Sequence, residues 1–547
     1  MQGTADGGEQ PALTNSEPTS AWQRLRSNVK ANWSWSHAQM AVVAAVWFAL
    51  GLYIVLWVWG LRPIAFPAQD ESVIRQAAMF VRRSGSPFMR LPFYDPEDIA
   101  HPRNWVTVGD YAIPAYSPFS YFVYGYLTRL RNLGFFLIAA LPGASAAAFA
   151  FGVARLLPAG RRWFAIVAPV LGFPALYWLL RPWMNISPFL SALCWAFCFW
   201  AGWRATNRNR DLAWAFALLG VAGAIRPDFA FYVFSIPFVL TLAADPTQWR
   251  RIVIANLCAG AGAVAINLVL NAVLTGHPFQ VAYMAAIARE HGEADAQQAS
   301  KLVSLLFPMG FDVDAAGAWS YFKKYWLDMG SIVALVALQV TLLPWLYRGS
   351  WLTRALRLVA LLLCTCLLYS RMGDVFGSTE PLGAVHHSVA RYHTPLYLLA
   401  AVPPILFIGH LRRRLLFYPA ALLLVALALD NGWEIWSRQR GSITRLEWFN
   451  RKGERFLADL TASLPKNAMV YSERLDRWTW SGFTTGCIVG HEATLKSIRR
   501  ALDAGIPTYV AEEFRTSKVR RLKRALERSH LQMVRVGGHR HLFEIKQ

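Results

Sequence analysis

Long apolar runs separated by short basic segments organise this chain. The runs cover 38–59, 134–157, 163–180, 188–205, 212–226, 229–244, 252–274, 329–347, 355–370, 394–410 and 414–430. A helix of about 20 residues crosses the roughly 30 Å of hydrocarbon in a bilayer. The pattern therefore predicts an all-α polytopic membrane bundle of about eleven transmembrane helices. The first run is too long, and begins too far in, for a cleaved leader; it reads as an uncleaved first span.

Charge sets the orientation. With the N-terminus in the cytoplasm, every inside segment is basic: Arg24, Arg26 and Lys30, then Arg161 and Arg162, then Arg204, Arg208 and Arg210. Arg250 and Arg251 follow, then Arg348, Arg354 and Arg357, and last Arg412, Arg413 and Arg414. Lys and Arg are retained on the cytoplasmic side of membrane proteins. The same register puts the loops 60–133, 275–328 and 371–393 outside, together with 431–547. Residues 1–37, which open on a polar stretch rich in Gly, Pro, Ser and Thr, read as a disordered cytoplasmic tail ahead of a membrane domain spanning 38–430.

Within the first outer loop, Asp70 to Arg83 has helical periodicity, with Val73, Ala77, Phe80 and Val81 on one side and Arg75, Arg82 and Arg83 elsewhere, Arg82 on a solvated face. Residues 117–131 combine aromatic rings with Arg129 and Arg131, which suits a helix lying in the headgroup layer. Past 430 the period changes. Segments 468–474 and 506–511 read as short buried strands, 492–503 and 513–528 as amphipathic helices, and 531–545 as a closing strand pair. That alternation predicts a small extracytoplasmic α/β domain over 431–547. Gly482, Gly486 and Gly490 follow no phosphate-loop spacing, so no nucleotide site is expected there.

Composition agrees with a lipid solvent: 55% of the 547 residues are hydrophobic and 16% charged, where soluble proteins carry about 25%. The net charge of +22 is dispersed between spans rather than gathered on one domain. That excludes nucleic acid as a partner and leaves membrane lipids and phosphorylated substrates. Cys194, Cys198, Cys258, Cys364 and Cys366 fall in apolar runs and Cys487 stands alone in the tail, so no internal disulfide is expected outside. No His or acid flanks the cysteine pairs, and no metal or cofactor is expected.

Asp70 and Glu71 are adjacent carboxylates about a dozen residues past the first span, placed to face the boundary between water and lipid. Chemistry at that boundary needs a carboxylate to take a proton from an incoming hydroxyl or amine. The alternative is an acidic cap on the helix that follows, where negative charge favours the positive end of the dipole.

The string from Asp70 to Gly85 (DESVIRQAAMFVRRSG) resembles the first-loop signature of GT-C membrane glycosyltransferases. It is nearest to the branch with bacterial aminoarabinose transferases of lipid A and protein O-mannosyltransferases. Tyr116 to Phe122 (YSPFSYF) stands where that family has a Pro-Pro-Leu-Tyr-Tyr-like segment, with one proline instead of two. Ile225-Arg226-Pro227-Asp228 resembles the family's basic-Pro break, and Arg391-Tyr392 the Arg-Tyr ahead of a late span. The resemblance implies a polyprenyl-phosphate sugar donor, a glycan, lipid or protein acceptor, and a place in the inner membrane. It also implies Asp70 as base, Glu71 as an orienting or substrate-binding partner, and Arg391 with Arg226 around the donor phosphate. Tyr392, Asp228 and His387, from the pair His386-His387, complete the candidate substrate contacts. The family's further acid between spans three and four is missing: residues 181–187 read Arg-Pro-Trp-Met-Asn-Ile-Ser. Asp95, Asp98 and Asp110 are possible substitutes.

Two rival readings make different demands. An O-antigen ligase or polymerase would place arginines and histidines in a large late loop, whereas 371–393 is of moderate length. A lipid-linked-sugar transporter or flippase would show ionisable residues at span centres and internal repeats, and neither is apparent.

Overall fold

The structure, a computed structural model, describes residues 35–63, 69–93, 105–108, 110–114, 118–279, 394–411, 413–438, 442–465, 467–472, 484–488, 491–511, 517–537 and 542–547. The expected spans 329–347 and 355–370 lie outside the described residues. Among those described, five helices are long and apolar enough to cross a membrane.

The first pair sets the frame. Helices α1 (Trp35–Trp59) and α4 (Asn132–Leu156) are apolar all round, as a helix flanked by lipid and protein must be. They cross at backbone distance. A Cβ on Gly51 would lie 2.5 Å from the Cα of Gly143, and a Cβ on Gly143 would lie 2.7 Å from the carbonyl oxygen of Phe48. Small residues at a membrane crossing permit that approach, and dispersion across it holds the helices together. Gly143→Val is therefore expected to force the crossing apart, because backbone cannot swing aside as a side chain can. A loss of about 1–3 kcal/mol is expected, as for overpacking in a dense core, read as a lower thermal midpoint in detergent. An unchanged midpoint would contradict this crossing.

Helix α7 (Ile186–Thr206) packs on the other side of α4 and against α8 (Asn209–Ile225). Cys194 and Cys198 are buried in it as small core residues. The sequence break at 225–228 is real: α8 ends at Ile225 and α9 (Ala230–Ala244) begins after a 3-10 turn, Pro227–Phe229. Helix α10 (Trp249–Thr275) and, after the undescribed stretch, α11 (Thr394–Gly409) and α12 (Arg414–Trp433) follow.

One expected span is not a single helix. Residues 163–180 belong to a 3-10 segment, Ala159–Val167, then α5 (Ala168–Leu171) and α6 (Phe173–Leu179). Pro169 and Pro174 withhold two backbone N–H groups and Gly172 leaves helical geometry between them (φ −85°, ψ 38°), and the helix breaks there. Hydropathy registers the apolar content and misses the breakers. Arg161, expected only as inside charge, also has a structural task. Its Nη1 donates to the carbonyls of Gly409 (2.9 Å) and Leu411 (2.6 Å), and its guanidinium lies 4.1 Å from the Phe417 ring centre, closing the end of α11.

The segment expected as the first outer loop contains α2 (Gln69–Ser84), a three-stranded antiparallel sheet and α3 (Pro118–Arg129). Strand β3 (Tyr111–Pro114) lies between β1 (Met89–Arg90) and β2 (Trp105–Val108). Helix α2 does not float with one wet face. Arg75 is 3% exposed and Arg82 is half-buried, because α3 and residues 181–185 cover the side expected to meet water. Helix α3 is likewise packed inward, with Tyr121 and Tyr124 buried and Gly125 against Val81 of α2, rather than resting only in headgroups.

Toward the C-terminus, α13 (Ile443–Ser463) leads to a five-stranded sheet of order β5-β4-β6-β8-β7, with β4 Met469–Ser472, β5 Thr484–Cys487, β6 Thr508–Ala511, β7 Gln532–Arg535 and β8 Leu542–Lys546. Strand β4 runs parallel to β5 and β6, while β8 is antiparallel to β6 and β7. Side chains alternate across it. Val470, Tyr509 and Leu542 join Leu457 of α13 on one face. Met469, Tyr471, Val510 and Ile545 pack on the other with Ile498 of α14 (His491–Asp503) and Leu522 of α15 (Ser517–Arg528). Gly486, which follows no phosphate-loop spacing, is small because the Tyr471 ring lies over it: a Cβ there would be 2.6 Å from Tyr471 Cδ1.

Candidate functional site

The candidate site grows from the start of α2. Asp70 and Glu71 are the second and third residues of this helix, in its first turn, where backbone N–H groups point outward and negative charge is favoured. Glu71 is fully buried and accepts two hydrogen bonds from Arg181, Nε to Oε1 at 2.7 Å and Nη2 to Oε2 at 2.8 Å. Parallel bonds of this kind fix orientation as well as charge. Arg181 is itself 3% exposed, lies 4.8 Å from the Trp178 ring centre and reaches Tyr177 Oη at 3.4 Å.

Residues 180–185 form a strap between α6 and α7 that several elements grip. Trp59 Nε1, at the end of α1, donates to the Leu180 carbonyl at 3.2 Å. Tyr124 Oη of α3 donates to the Pro182 carbonyl at 2.9 Å, and the Trp183 ring stands edge-on to Tyr124 at 5.5 Å. At the far end, Asn185 Oδ1 accepts from Arg226 Nη1 at 3.1 Å. Arg226 is 6% exposed and lies 4.8 Å from the Phe229 ring centre. Glu71 and Arg226 thus hold opposite ends of one buried strap.

Sequence reasoning noted residues 181–187 for an acid they lack and passed over Arg181. The available signal was an arginine between an apolar run and a Pro, in a segment too short to be merely a solvated loop. Arg75 was also passed over. It lies 5.0 Å from both the Phe135 and Trp183 ring centres. Burial and the like charges of Arg82, Arg62 and Arg83 push its guanidinium down to about 9.

The other candidates divide as follows. Asp228 lies on the 3-10 turn beside Arg226. Asp110 is exposed in the β2–β3 turn, where its carbonyl accepts from the Leu91 N–H at 2.9 Å. Arg391, Tyr392, His386, His387, Asp95 and Asp98 lie outside the described residues. Among the described residues no three His, Cys, Asp or Glu side chains gather as metal ligands would.

No family model and no curated protein matches the chain. Among solved structures it is similar to the apo oligosaccharyltransferase of Archaeoglobus fulgidus, at 12% identity over 90% of this chain and 72% of that one, with a TM-score of 0.47. It is also similar to ArnT from Cupriavidus metallidurans bound to undecaprenyl phosphate, at 13% identity over 92% and 97% of the two chains, TM-score 0.43. The apo state of ArnT gives 14% identity over the same shares and a TM-score of 0.38.

Proposed function

We propose that this chain is an inner-membrane glycosyltransferase of the GT-C type. It moves a sugar from a polyprenyl phosphate to an acceptor on the extracytoplasmic side, a glycan, lipid or protein. The observation that carries the reading is the strap from Leu180 to Asn185, which ties the carboxylate-bearing start of α2 to the buried guanidinium of Arg226. A base and a phosphate-binding cation must be held in fixed relation for group transfer, and rigid positioning supplies much of the rate.

In this mechanism Asp70 takes the proton from the acceptor hydroxyl as its oxygen bonds to the anomeric carbon. The bond from that carbon to the phosphate oxygen breaks, and the phosphate leaves with the electron pair. Negative charge grows on the leaving oxygen in the transition state, and Arg226 with Arg391 compensates it at low dielectric. Arg is suited to this because its planar fork meets two phosphate oxygens together. Glu71 orients α2; Tyr392, Asp228 and His387 contact substrate. The C-terminal residues 431–547 are on the same outer side as the acceptor.

The test uses purified full-length protein in lipid nanodiscs with a panel of polyprenyl-phosphate sugars, following release of free polyprenyl phosphate by mass spectrometry. Arg226→Gln, which keeps an amide donor but carries no charge, should lower turnover about 10²–10³-fold, as loss of a transition-state donor does. Folded protein that consumes no donor would remove the transferase reading.

A further inference from the structure

Three guanidinium groups converge on one ring at the start of α4. The Phe135 ring centre lies 5.0 Å from the guanidinium carbon of Arg75, 5.5 Å from that of Arg62 and 5.9 Å from that of Arg82. The three charges therefore sit within roughly one screening length of each other, about 10 Å at 0.1 M salt. Arg62 comes from the bend that follows α1, Arg75 and Arg82 from α2, and Arg62 Nη2 donates to Asn132 Oδ1 in the first turn of α4. Among the described residues, neither Arg62 nor Arg82 is within ion-pairing distance of a carboxylate.

The helix adds the same sign. The first turn of α4 has no side-chain cap, and its leading residue, Arg131, sits at φ 55°. Its N–H groups place a partial positive charge beside the three arginines. Aromatic faces attract guanidinium groups, which accounts for each contact with Phe135 singly, but stacking on one ring does not cancel mutual repulsion. Burial first, and then the like charges of Arg82, Arg62 and Arg83, hold Arg75 down to about 9. Arg62 is exposed and Arg82 half-buried, so the outer rim of the cluster is open to a ligand.

We infer that Arg62, Arg75 and Arg82 around Phe135, with the open start of α4, form a binding site for a phosphate group. The phosphate oxygens would accept from Arg62 and Arg82 at the rim, with buried Arg75 supplying field from below. The phosphate belongs to the headgroup of an anionic lipid beside the helix ends or to soluble phosphate. The inference stands whether or not Asp70 is a base, since neither Arg62 nor Arg82 has a part in that mechanism.

The experiment is a thermal titration of the full-length protein in phosphatidylcholine nanodiscs, with short-chain phosphatidylglycerol in one arm and inorganic phosphate in the other. In the parent, one of them should raise the melting midpoint in a saturable way. A rise with phosphatidylglycerol alone assigns the site to a lipid, and an equal rise with phosphate assigns it to the free anion. Arg82→Gln should move the titration midpoint about tenfold or more, the loss expected for one charged hydrogen bond, while Arg82→Lys recovers part of it. Without ligand, Arg82→Gln should hold or raise the melting midpoint, because a like charge is gone. A purely structural stack would instead melt lower in Arg82→Gln with and without ligand alike. That result, or a parent that neither additive stabilises, would overturn the inference.

Discussion

Arg181→Ala should yield a protein that is extracted poorly and melts far below the parent. The substitution leaves the Glu71 carboxylate at 0% exposure without the fork that accepts its charge. Removing one partner of a buried ion pair costs about 3–5 kcal/mol, a large share of the 5–15 kcal/mol that typically separates folded from unfolded protein. Arg181→Lys should recover only part of the loss, because an ammonium cannot make the two parallel bonds at 2.7 and 2.8 Å. The paired change, Glu71→Leu with Arg181→Met, separates charge from packing. Replacing both members of a buried ion pair by apolar groups is often neutral or stabilising, so the double variant should melt near the parent while either single change does not. Thermal denaturation of the four proteins closes a double-mutant cycle. Additive losses would mean that the pair is not coupled and that the strap is held by Trp59, Tyr124 and Arg226 without it.

What was legible in the sequence follows from how far each signal travels along the chain. Apolar runs bounded by arginine report a local balance between lipid and water, and they locate α1, α4, α7 and α10 closely. Ile225 to Asp228 announces its break because proline acts on its own backbone. Arg181 has no such local meaning: its partner is 110 residues away, and only the fold brings Glu71 to it. The polar side of α2 was misjudged for the same reason. Periodicity shows that a face is polar, and another element then covers it, here α3 and the strap. The first-loop sheet escaped because strands of two to four residues give no pattern to read. For the candidate site, Asp70, Glu71 and Arg226 were visible as charges in apolar company. The loop that connects Glu71 to Arg226 was not.

Asp70→Asn is the substitution on which the catalytic reading depends. Asn keeps the size and shape of Asp and cannot accept a proton, so loss of a general base should lower turnover about 10²–10⁴-fold. That range corresponds to about 3–5 kcal/mol of transition-state stabilisation, at 1.36 kcal/mol per decade. The structural alternative predicts a different pattern. Asp70 lies in the first turn of α2, and exchanging a carboxylate for an amide there removes only a charge–dipole term of about 0.3–1 kcal/mol. The next residue, Glu71, is clamped by Arg181, so the helix start should stay in place when Asp70 changes. Melting midpoint and donor affinity are then expected to stay close to the parent while turnover falls. Measuring all three on one preparation distinguishes the readings. If Asp70→Asn turns over donor at the parent's rate, the carboxylate is not the base, and its place in the first turn of α2 is its whole contribution.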